Sequence, residues 1–539
     1  MSDETAKRAL DADSAASARH AKKSRTHEST ENPSDPTSST NGKSGKRKLA
    51  RNAGRRRGTR ADDPPLPQDG EDGEKKQRRP KRACALLIGF SGTGYFGMQS
   101  QRNAGLKTIE GTLFDALVRA GAVSEDNADD PVKVNLQRAA RTDAGVHAAG
   151  NVVSIRMITA VPDVPDLVAK INEELPPEIR LWGFVRTQNS FNARVSCDSR
   201  KYTYFFPSYL FIPPKPDSGF AKALQETNVK LRAGAETSGV DGAADEVHPF
   251  WKDSSLDSSP EEDLARKRTW RCSLQDVERF RTAVNKYLGS HNFHNFTVGR
   301  EYKDPSNRRV MKAIEVSDPV VYGDTEWISV MLHGQSFMLH QRKMVCVAVM
   351  MCRTSTPPSL IPELYGQRKV TVPKAPALGL LLEYPVFENY NRKVEDLNGK
   401  IPKDANPEQL DAIRPIIDFE QFRPQIDAFK QHYIYDNMRT HEDREGVFDG
   451  WIRSIDAYAG PDLQYFNHKG AVLPTCVIIK GEIRHSSFKE KKKFNSTTFP
   501  VASALDDEAE AGVINDDGEP DNEDEETEID KKLLVDMEG

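Results

Sequence analysis

A carboxylate among small residues, preceded by two arginines, is the part of this sequence best suited to chemistry. Asp143 lies in the stretch 138–148, RAARTDAGVHA, two residues after Arg141 and five after Arg138. The small neighbours place the carboxylate at a backbone crevice, and arginines are groups that bind phosphates. A nearby guanidinium would keep Asp143 ionised, as a nucleophile or general base requires. A T-D-A-G sequence alone is also typical of a turn whose aspartate caps backbone amides.

Other patterns are weaker indications of a site. Gly92, Gly94 and Gly97 have the spacing of a G-x-G-x-x-G phosphate loop, but no G-K-[ST] ends it and aromatic residues fill it, which disfavours a nucleotide-dependent enzyme. His291 and His294 have a spacing that zinc ligands can have, but their aromatic neighbours favour a packed loop. The sequence therefore does not indicate zinc, although residues distant in the chain could supply ligands.

The elements that must position Asp143 have a mixed pattern. A helix with Thr108 as N-cap is predicted over 109–120 and a second over 167–175. Apolar or alternating runs predict strands over 83–90, 132–137, 151–155, 179–185 and 201–206. The turn 141–145 then joins two strands. Tyr202 and Tyr204 share one face of the last strand, where core aromatics are common.

The second half repeats this layout. A helix begins after Ser273 as N-cap and ends before Gly289, and strands are predicted over 310–316 and 327–332. A further helix is predicted from Phe337 to about Met351. Helices laid against an antiparallel sheet define an α+β fold. Mostly helical spacing over 406–455 predicts an added helical region, which either packs on the core or contacts RNA.

Composition divides the chain into segments. The hydrophobic content of 37% is low for 539 residues, and the deficit lies at the two ends. We predict a disordered basic arm (1–82), an N-terminal half with Asp143 (83–212), a low-complexity insertion (213–268), a C-terminal half (269–390), a mostly helical extension (391–490) and an acidic disordered tail (491–539).

The charged runs and the cysteines are the basis for predicting where in the cell the protein acts. Basic runs in the leading arm are typical of nuclear import signals or nucleic-acid-binding arms, although a solvated tail is the alternative. The acidic run 506–530 is interpreted as a solubilising tail. The 6 cysteines form no C-x-x-C pair, which indicates reduced thiols within the cell. No apolar run has the length of a membrane span, and a secretion signal is not indicated.

The 138–148 stretch is similar to the catalytic motif of TruA-type pseudouridine synthases, R-T-D-x-G-V-H-A between two strands. The resemblance extends over about 83–387 and includes FSGTGYFGMQ (90–99), FNAR (191–194), RKYTY (200–204), GSHNFHNF (289–296) and APALGL (375–380). The basic leader, the insertion near residue 240 and the HNFHNF element most resemble the eukaryotic, fungal-like nuclear tRNA enzymes of this family, which modify several positions.

This resemblance implies two α+β halves that share a central antiparallel sheet, with a basic RNA cleft between them. It implies isomerisation of uridine to pseudouridine without a cofactor. Asp143 would drive cleavage of the N1–C1′ bond by attacking the sugar, attacking the ring or assisting elimination. Arg141 would help to turn the base out and occupy its place, and Tyr202 would stack on the flipped uracil, its hydroxyl being a candidate for proton removal at C5.

One departure from the family pattern concerns Arg342. The family pairs its aspartate with a basic residue within His-Gln, one apolar residue, then Arg-Lys-Met, whereas here His340-Gln341-Arg342-Lys343-Met344 lacks the apolar residue. Inside a helix, this loss rotates the following residues by about 100° and would aim Arg342 away from the cleft. Either the helix re-registers at its start or the chain carries a deletion. A catalytically impaired RNA-binding protein of the same fold is therefore the alternative to an active synthase.

The implied partners are nucleic acids. We expect tRNA as substrate, with small nuclear RNA and mRNA as further candidates, and nuclear import receptors bound by the basic arm. The expected protein is a nuclear monomer without membrane attachment.

Overall fold

A sheet of 10 strands forms the centre of the computed structural model. The structure describes residues 79–100, 106–233, 247–252, 257–402, 404–482, 484 and 486–494. Its strands are β1 (Lys81–Phe90), β2 (Gln137–Arg138), β3 (His147–Ile158), β4 (Ile179–Arg186), β5 (Ser199–Pro207), β6 (Gly289–Asn292), β7 (Arg308–Val316), β8 (Val320–Tyr322), β9 (Thr325–Gly334) and β10 (Leu380–Val386). The order is β4-β1-β3-β10-β5-β9-β7-β6, with β2 beside β3 and β8 beside β9. Among these described strands, β3 and β10 pair in parallel and the other pairs are antiparallel.

Helices cover both faces of this sheet. They are α1 (Ile109–Arg119), α2 (Leu167–Glu174), α3 (Ala193–Ser196), α4 (Gly219–Ala233), α5 (Pro249–Lys252), α6 (Pro260–Thr269), α7 (Leu274–Val284), α8 (Lys343–Thr354), α9 (Leu360–Leu364), α10 (Glu388–Asn398), α11 (Pro407–Leu410), α12 (Arg423–Phe429), α13 (Asp436–Glu445) and α14 (Val447–Asp456), with a π-helical turn at Lys430–Tyr435. The Thr108 hydroxyl accepts the Gly111 N–H at 3.2 Å, and Ser273 with Asp276 forms a capping box. These caps satisfy N–H groups that helix starts leave unpaired.

The sheet separates apolar cores because alternate side chains of a strand point to opposite faces. Leu86 and Ile88 of β1 pack in a core with α1 and α2, whereas Ala85 and Leu87 pack in a second core on the other face. That second core includes residues of α10 and α12. A third and larger core lies between β5, β9, α7 and α8.

The C-terminal region is part of this third core. Trp451 and Ile455 of α14 are buried in it. The Arg353 guanidinium at the end of α8 donates to both carboxylate oxygens of Asp456 at 2.7 and 2.8 Å. The helical region therefore packs on the core of the sheet rather than standing beside it.

The predicted α+β class, the central and mostly antiparallel sheet and the helical C-terminal region are confirmed. So are the strands predicted over 83–90, 151–155, 179–185, 201–206, 310–316 and 327–332 and the helices that follow Thr108 and Ser273. The predicted basic arm and acidic tail lie outside the described residues, apart from 79–82 and 491–494. Within the described part of the chain, no helix is long and apolar enough to cross a bilayer.

The segment 213–268 is not an unpacked insertion over its described residues, contrary to our prediction. Helix α4 buries Phe220 and Leu224, which are spaced four apart, and α5 buries Phe250 and Trp251. Both pairs belong to the third core. Polar residues around these short apolar groups lowered the average hydropathy and concealed the helical spacing.

The strand predicted over 132–137 is also wrong. Residues Pro131–Val134 form a 3-10 helix that Asp130 caps by accepting the Val132 N–H at 2.8 Å. Proline at the first position favours such a start because its fixed φ suits a helix and it lacks an N–H group. Asn135 then takes a left-handed conformation, and β2 is only two residues long.

Candidate active site

Asp143 lies in a tight turn between β2 and β3. Its carbonyl accepts the Val146 N–H at 3.2 Å. The loop after β1 holds this turn from one side, because the Met98 N–H donates to Thr142 O at 3.1 Å and the Gly145 N–H donates to Tyr95 O at 3.0 Å. Backbone hydrogen bonds between two loops therefore set the place of the carboxylate.

Two glycines of the loop after β1 permit this contact. A Cβ at Gly92 would lie 2.3 Å from Val146 O, and one at Gly97 would lie 2.8 Å from Thr142 O. Gly97 also has φ of +86°, a conformation that other residues rarely adopt. Gly92 and Gly97 of the G-x-G-x-x-G pattern thus allow the backbone of this loop to approach the backbone of the Asp143 turn closely.

His147, at the start of β3, ties the same two loops together. Its Nδ1 accepts the Gly92 N–H at 3.1 Å and lies 3.2 Å from the Ser91 hydroxyl. Burial lowers the His147 pKa to about 4. The imidazole is therefore neutral at physiological pH, with its proton on Nε2, and serves as a structural acceptor.

The residues ahead of Arg141 are held by buried side chains. Asn151 of β3 accepts the Ala140 N–H at 3.2 Å and donates to Ala140 O at 2.9 Å. The Arg200 guanidinium donates to Ala139 O at 2.6 Å. Strand β5, which carries Arg200, is thereby fixed relative to the Asp143 turn.

The order of the strands brings Tyr202 close to this turn. Strand β10 pairs Leu382 with Ala148 on one side and with Tyr202 on the other. The start of β3 and Tyr202 are therefore separated by a single strand. The Tyr202 ring lies edge-on to Phe337, with centroids 4.8 Å apart.

Arg342 immediately precedes α8, so the helix begins at Lys343 and not at Phe337 as predicted. His340 has φ of +59°, which interrupts any helix, and the Gln341 carboxamide oxygen accepts the Met338 N–H at 2.7 Å. Because Arg342 stands ahead of the helix, the rotation expected from the missing apolar residue does not apply to it. Its Nε donates to Ala375 O at 2.7 Å.

Arg141, Asp143, Tyr202 and Arg342 all line one cleft. The empty space of the cleft, including its open mouth, measures about 760 Å³. The Asp143 turn forms one wall and the segment before α8 forms the other. The remaining lining is mostly apolar and also includes four polar residues: Val146, Leu332, Phe337, Met338, Leu339, Val345 and Leu380, with Thr142, Tyr204, His340 and Gln341.

The charge state of Asp143 results from two opposing effects. Its side chain is exposed to the cleft, yet protein atoms surround it closely, and this desolvation raises its pKa above the usual value. The Arg342 cation opposes that rise, while the Asp143 anion in turn favours the charged form of Arg342. The two residues come from opposite walls, and Arg342 is the guanidinium that favours the ionised form of Asp143 against this desolvation.

Arg138 does not take the phosphate-binding role that its spacing suggested. Its Nε lies 2.6 Å from Glu110 Oε2 in a buried ion pair. Arg141 also lowers the pKa of Glu110, so both arginines act on this one carboxylate. The sequence did not indicate Glu110 as a partner of these arginines, since its one distinguishing feature is an acidic side chain in the first turn of α1.

Tyr202 and Tyr204 differ in the surroundings of their hydroxyls. Tyr204 donates to Pro376 O at 2.6 Å, whereas Tyr202 has no hydrogen-bond partner among the described residues. Burial raises the Tyr202 pKa to about 12, and the nearby Asp143 adds to this rise. The Tyr202 phenol is therefore neutral at physiological pH and forms an aromatic surface within the cleft.

The sequence did not indicate Phe337 and His340 as cleft residues. Both lie in the stretch predicted to be helical. Phe337 supports the Tyr202 ring, and His340 lines the cleft in its left-handed conformation. A left-handed histidine has no pattern in sequence, so only the tertiary structure places it.

His291 and His294 have separate packing roles. The His291 ring stacks on Tyr365 with centroids 4.3 Å apart, and its Nε2 lies 2.7 Å from Leu288 O. His294 is buried edge-on to Tyr302, and burial lowers its pKa to about 4. The packed-loop interpretation fits both contacts.

Comparison with known proteins gives a consistent picture. A family model described as tRNA pseudouridine synthase matches residues 283–388. The chain is 41% identical over 433 residues to tRNA pseudouridine synthase 1 of Saccharomyces cerevisiae, covering 73% of this chain and 75% of that protein. It is 40% identical over 434 residues to tRNA pseudouridine synthase 1 of Candida glabrata, covering 74% of each.

A further relative carries a more specific name. The chain is 35% identical over 403 residues to the tRNA pseudouridine(27/28) synthase of Saccharomyces cerevisiae, covering 70% of this chain and all of that protein. Since these identities extend over most of each chain, the resemblance seen in the motifs is confirmed. The chain belongs to the tRNA pseudouridine synthase family, whose members are enzymes that isomerise uridine.

Proposed function

We propose that Asp143, in its ionised form, drives the isomerisation of a tRNA uridine that is turned out into the cleft. The N1–C1′ bond of the uridine breaks and a C5–C1′ bond forms. The proton lost from C5 is balanced by one gained at N1, so the product is an isomer and no redox partner is required. Attack at the sugar, attack at the ring and elimination all need the carboxylate unprotonated. The observation that supports this role most strongly is the Arg342 cation opposite Asp143, which favours that form.

The other cleft residues have distinct proposed roles. Tyr202 stacks on the uracil, since it is neutral and its ring lies in an apolar cleft. Arg141 occupies the place that the base leaves in the RNA, because it lines the same wall as Asp143. The position of Arg342 in the cleft favours an active synthase over a catalytically impaired RNA-binding protein.

We infer several tRNA uridines as targets, and because one relative is named for positions 27 and 28, these are the first to examine. Small nuclear RNA and mRNA are further proposed substrates. The proposed place of action is the nucleus, which the basic runs within 46–82 support.

The experiment compares the parent chain with Asp143→Asn on unmodified tRNA transcripts, with pseudouridine mapped by carbodiimide-based primer extension. Asparagine keeps the size of the side chain but cannot ionise, so we expect no pseudouridine above background. Asp115→Asn is the matched control, because Asp115 is exposed on α1. Modification by the asparagine variant at the parent rate would contradict the proposal, and parallel small nuclear RNA and mRNA transcripts test the wider substrate range.

A further inference from the structure

A short basic segment near the end of the described chain is fixed close to the cleft. In the sequence FKEKKKF (488–494), Glu490 accepts the Lys374 backbone N–H at 2.5 Å and pairs with Lys374 Nζ at 3.1 Å. The next residue, Ala375, holds Arg342 through its carbonyl. Glu490 also favours the charged form of Arg342. The segment therefore lies immediately behind the arginine of the cleft.

Two buried phenylalanines anchor the ends of this segment and leave lysines exposed between them. Phe488 and Phe494 are each 8% exposed and belong to the third core. The Phe488 N–H donates to Asp462 at 2.8 Å, and the Phe488 ring lies 5.3 Å from that of Tyr458. Between these anchors, three lysines are exposed: Lys489, Lys491 and Lys493. Residues Lys492–Phe494 form a 3-10 turn, in which the Phe494 N–H donates to Lys491 O at 3.2 Å, so the three exposed lysines lie close together on a short anchored segment.

The neighbourhood that displays these lysines is itself positive. Arg342, Lys374 and Lys343 each lower the pKa of His340, which places all three cations close to that ring. Lys343 also lowers the pKa of Lys369. Glu490 and Asp143 supply negative charge here, and both already face a cation. A row of exposed lysines beside such a cluster attracts anions from solution.

We propose that Lys489, Lys491 and Lys493 form a phosphate-binding row that holds the tRNA backbone beside the flipped uridine. This inference rests on the proposed function and extends it, since it names the surface that holds the RNA next to the reacting base. The fixed position of the segment distinguishes this row from a freely moving basic tail. Clustered cations bind nucleic acid through release of counterions, whatever its sequence.

The test measures tRNA binding by filter retention over a series of salt concentrations. All proteins carry Asp143→Asn, so the result does not depend on turnover. The triple variant Lys489→Gln, Lys491→Gln, Lys493→Gln is expected to bind about tenfold more weakly near 0.1 M salt. The slope of log affinity against log salt should fall by about 2. A triple substitution to arginine should keep both affinity and slope.

The matched control removes three cations from the opposite face of the sheet. Arg392, Lys393 and Lys400 are exposed on and just after α10, whose apolar side packs in the second core. Their replacement by glutamine should leave affinity within twofold of the parent. Equal affinity of the lysine variant and the parent, or equal losses in the two triple variants, would overturn the proposal. Thermal unfolding verifies that each protein is folded, and an active Asp143→Asn enzyme would refute the catalytic role without altering these comparisons.

Discussion

The spacing of Tyr202 and Tyr204 in the sequence does not distinguish their roles. They lie on one face of β5, and alternation alone makes both of them core aromatics. In the structure both rings line the cleft, but Tyr204 is 1% exposed and its hydroxyl donates to Pro376 O, whereas the Tyr202 hydroxyl has no hydrogen-bond partner among the described residues. The family motif separated the two residues, and in the fold they differ in that the Tyr204 hydroxyl is hydrogen-bonded to Pro376 O.

Substitution at Tyr202 should separate stacking from hydroxyl chemistry. Tyr202→Phe keeps the ring, so we expect single-turnover rates within a few-fold of the parent. Tyr202→Leu removes a stacking surface worth about 1–3 kcal/mol per base and should lower kcat/KM by about tenfold or more. Tyr204→Phe is the control, which should lower stability by about 1 kcal/mol with little effect on rate. A Tyr202→Phe variant as slow as Tyr202→Leu would show that the hydroxyl takes part in proton transfer.

The roles of the two arginines before Asp143 could be predicted only in part. In the structure Arg141 lines the same cleft as Asp143. The spacing of the arginines could not show that Arg138 forms an ion pair with Glu110, because Glu110 lies 28 residues earlier in the chain. The spacing also could not show that Arg342 is the cation opposite Asp143. These two residues are far apart in the chain, and the packing of the two halves brings them to the same cleft.

Helices and strands were predicted correctly where the local sequence carries a clear signal. Helices with clear caps, such as those after Thr108 and Ser273, and strands with clear alternation were predicted correctly. The start of α8 was not, because the break at His340 has no signature in residue type. The short helices within 213–268 were missed because their few apolar residues depend on the third core for burial.

The contact between the loop after β1 and the Asp143 turn gives a prediction at this scale. Gly92→Ala places a Cβ within 2.3 Å of Val146 O, so the two loops must separate. We expect a loss of activity of at least tenfold, together with a lower melting temperature. Gly94→Ala is the matched control, since its Cβ would meet no atom within 4 Å and only its φ of +79° is strained. Thermal unfolding and single-turnover assays on both variants test this, and equal activity of the two would contradict the proposed contact.

For the molecule as a whole, the C-terminal region completes the core beside the cleft. Mostly helical spacing over 406–455 predicted a helical extension without showing what it covers. Its aromatic residues Phe448, Trp451 and Phe466 are buried in the third core. The sequence could not reveal this because the contacts join residues more than a hundred positions apart.

The buried pair between α8 and α14 should be important to this assembly. Arg353→Met leaves Asp456 buried without its partner, and such a loss costs about 3–5 kcal/mol. Adding Asp456→Leu removes the orphaned charge, so the double variant should recover much of the stability. Urea unfolding of the parent, the single variant and the double variant measures this. A single variant as stable as the parent would mean that the pair contributes little to the attachment of α14.

The pH dependence of Arg342→Gln is the measurement that tests the account most directly. Desolvation raises the Asp143 pKa and Arg342 opposes it, so loss of the cation should raise that pKa further. Since the ionised carboxylate is the active form, the acidic limb of kcat/KM should move to higher pH. Activity should then recover as the pH rises, and Arg342→Lys should restore much of the parent profile. A profile that keeps the parent's acidic limb, lowered equally at every pH, would contradict the claim that Arg342 acts by holding Asp143 ionised.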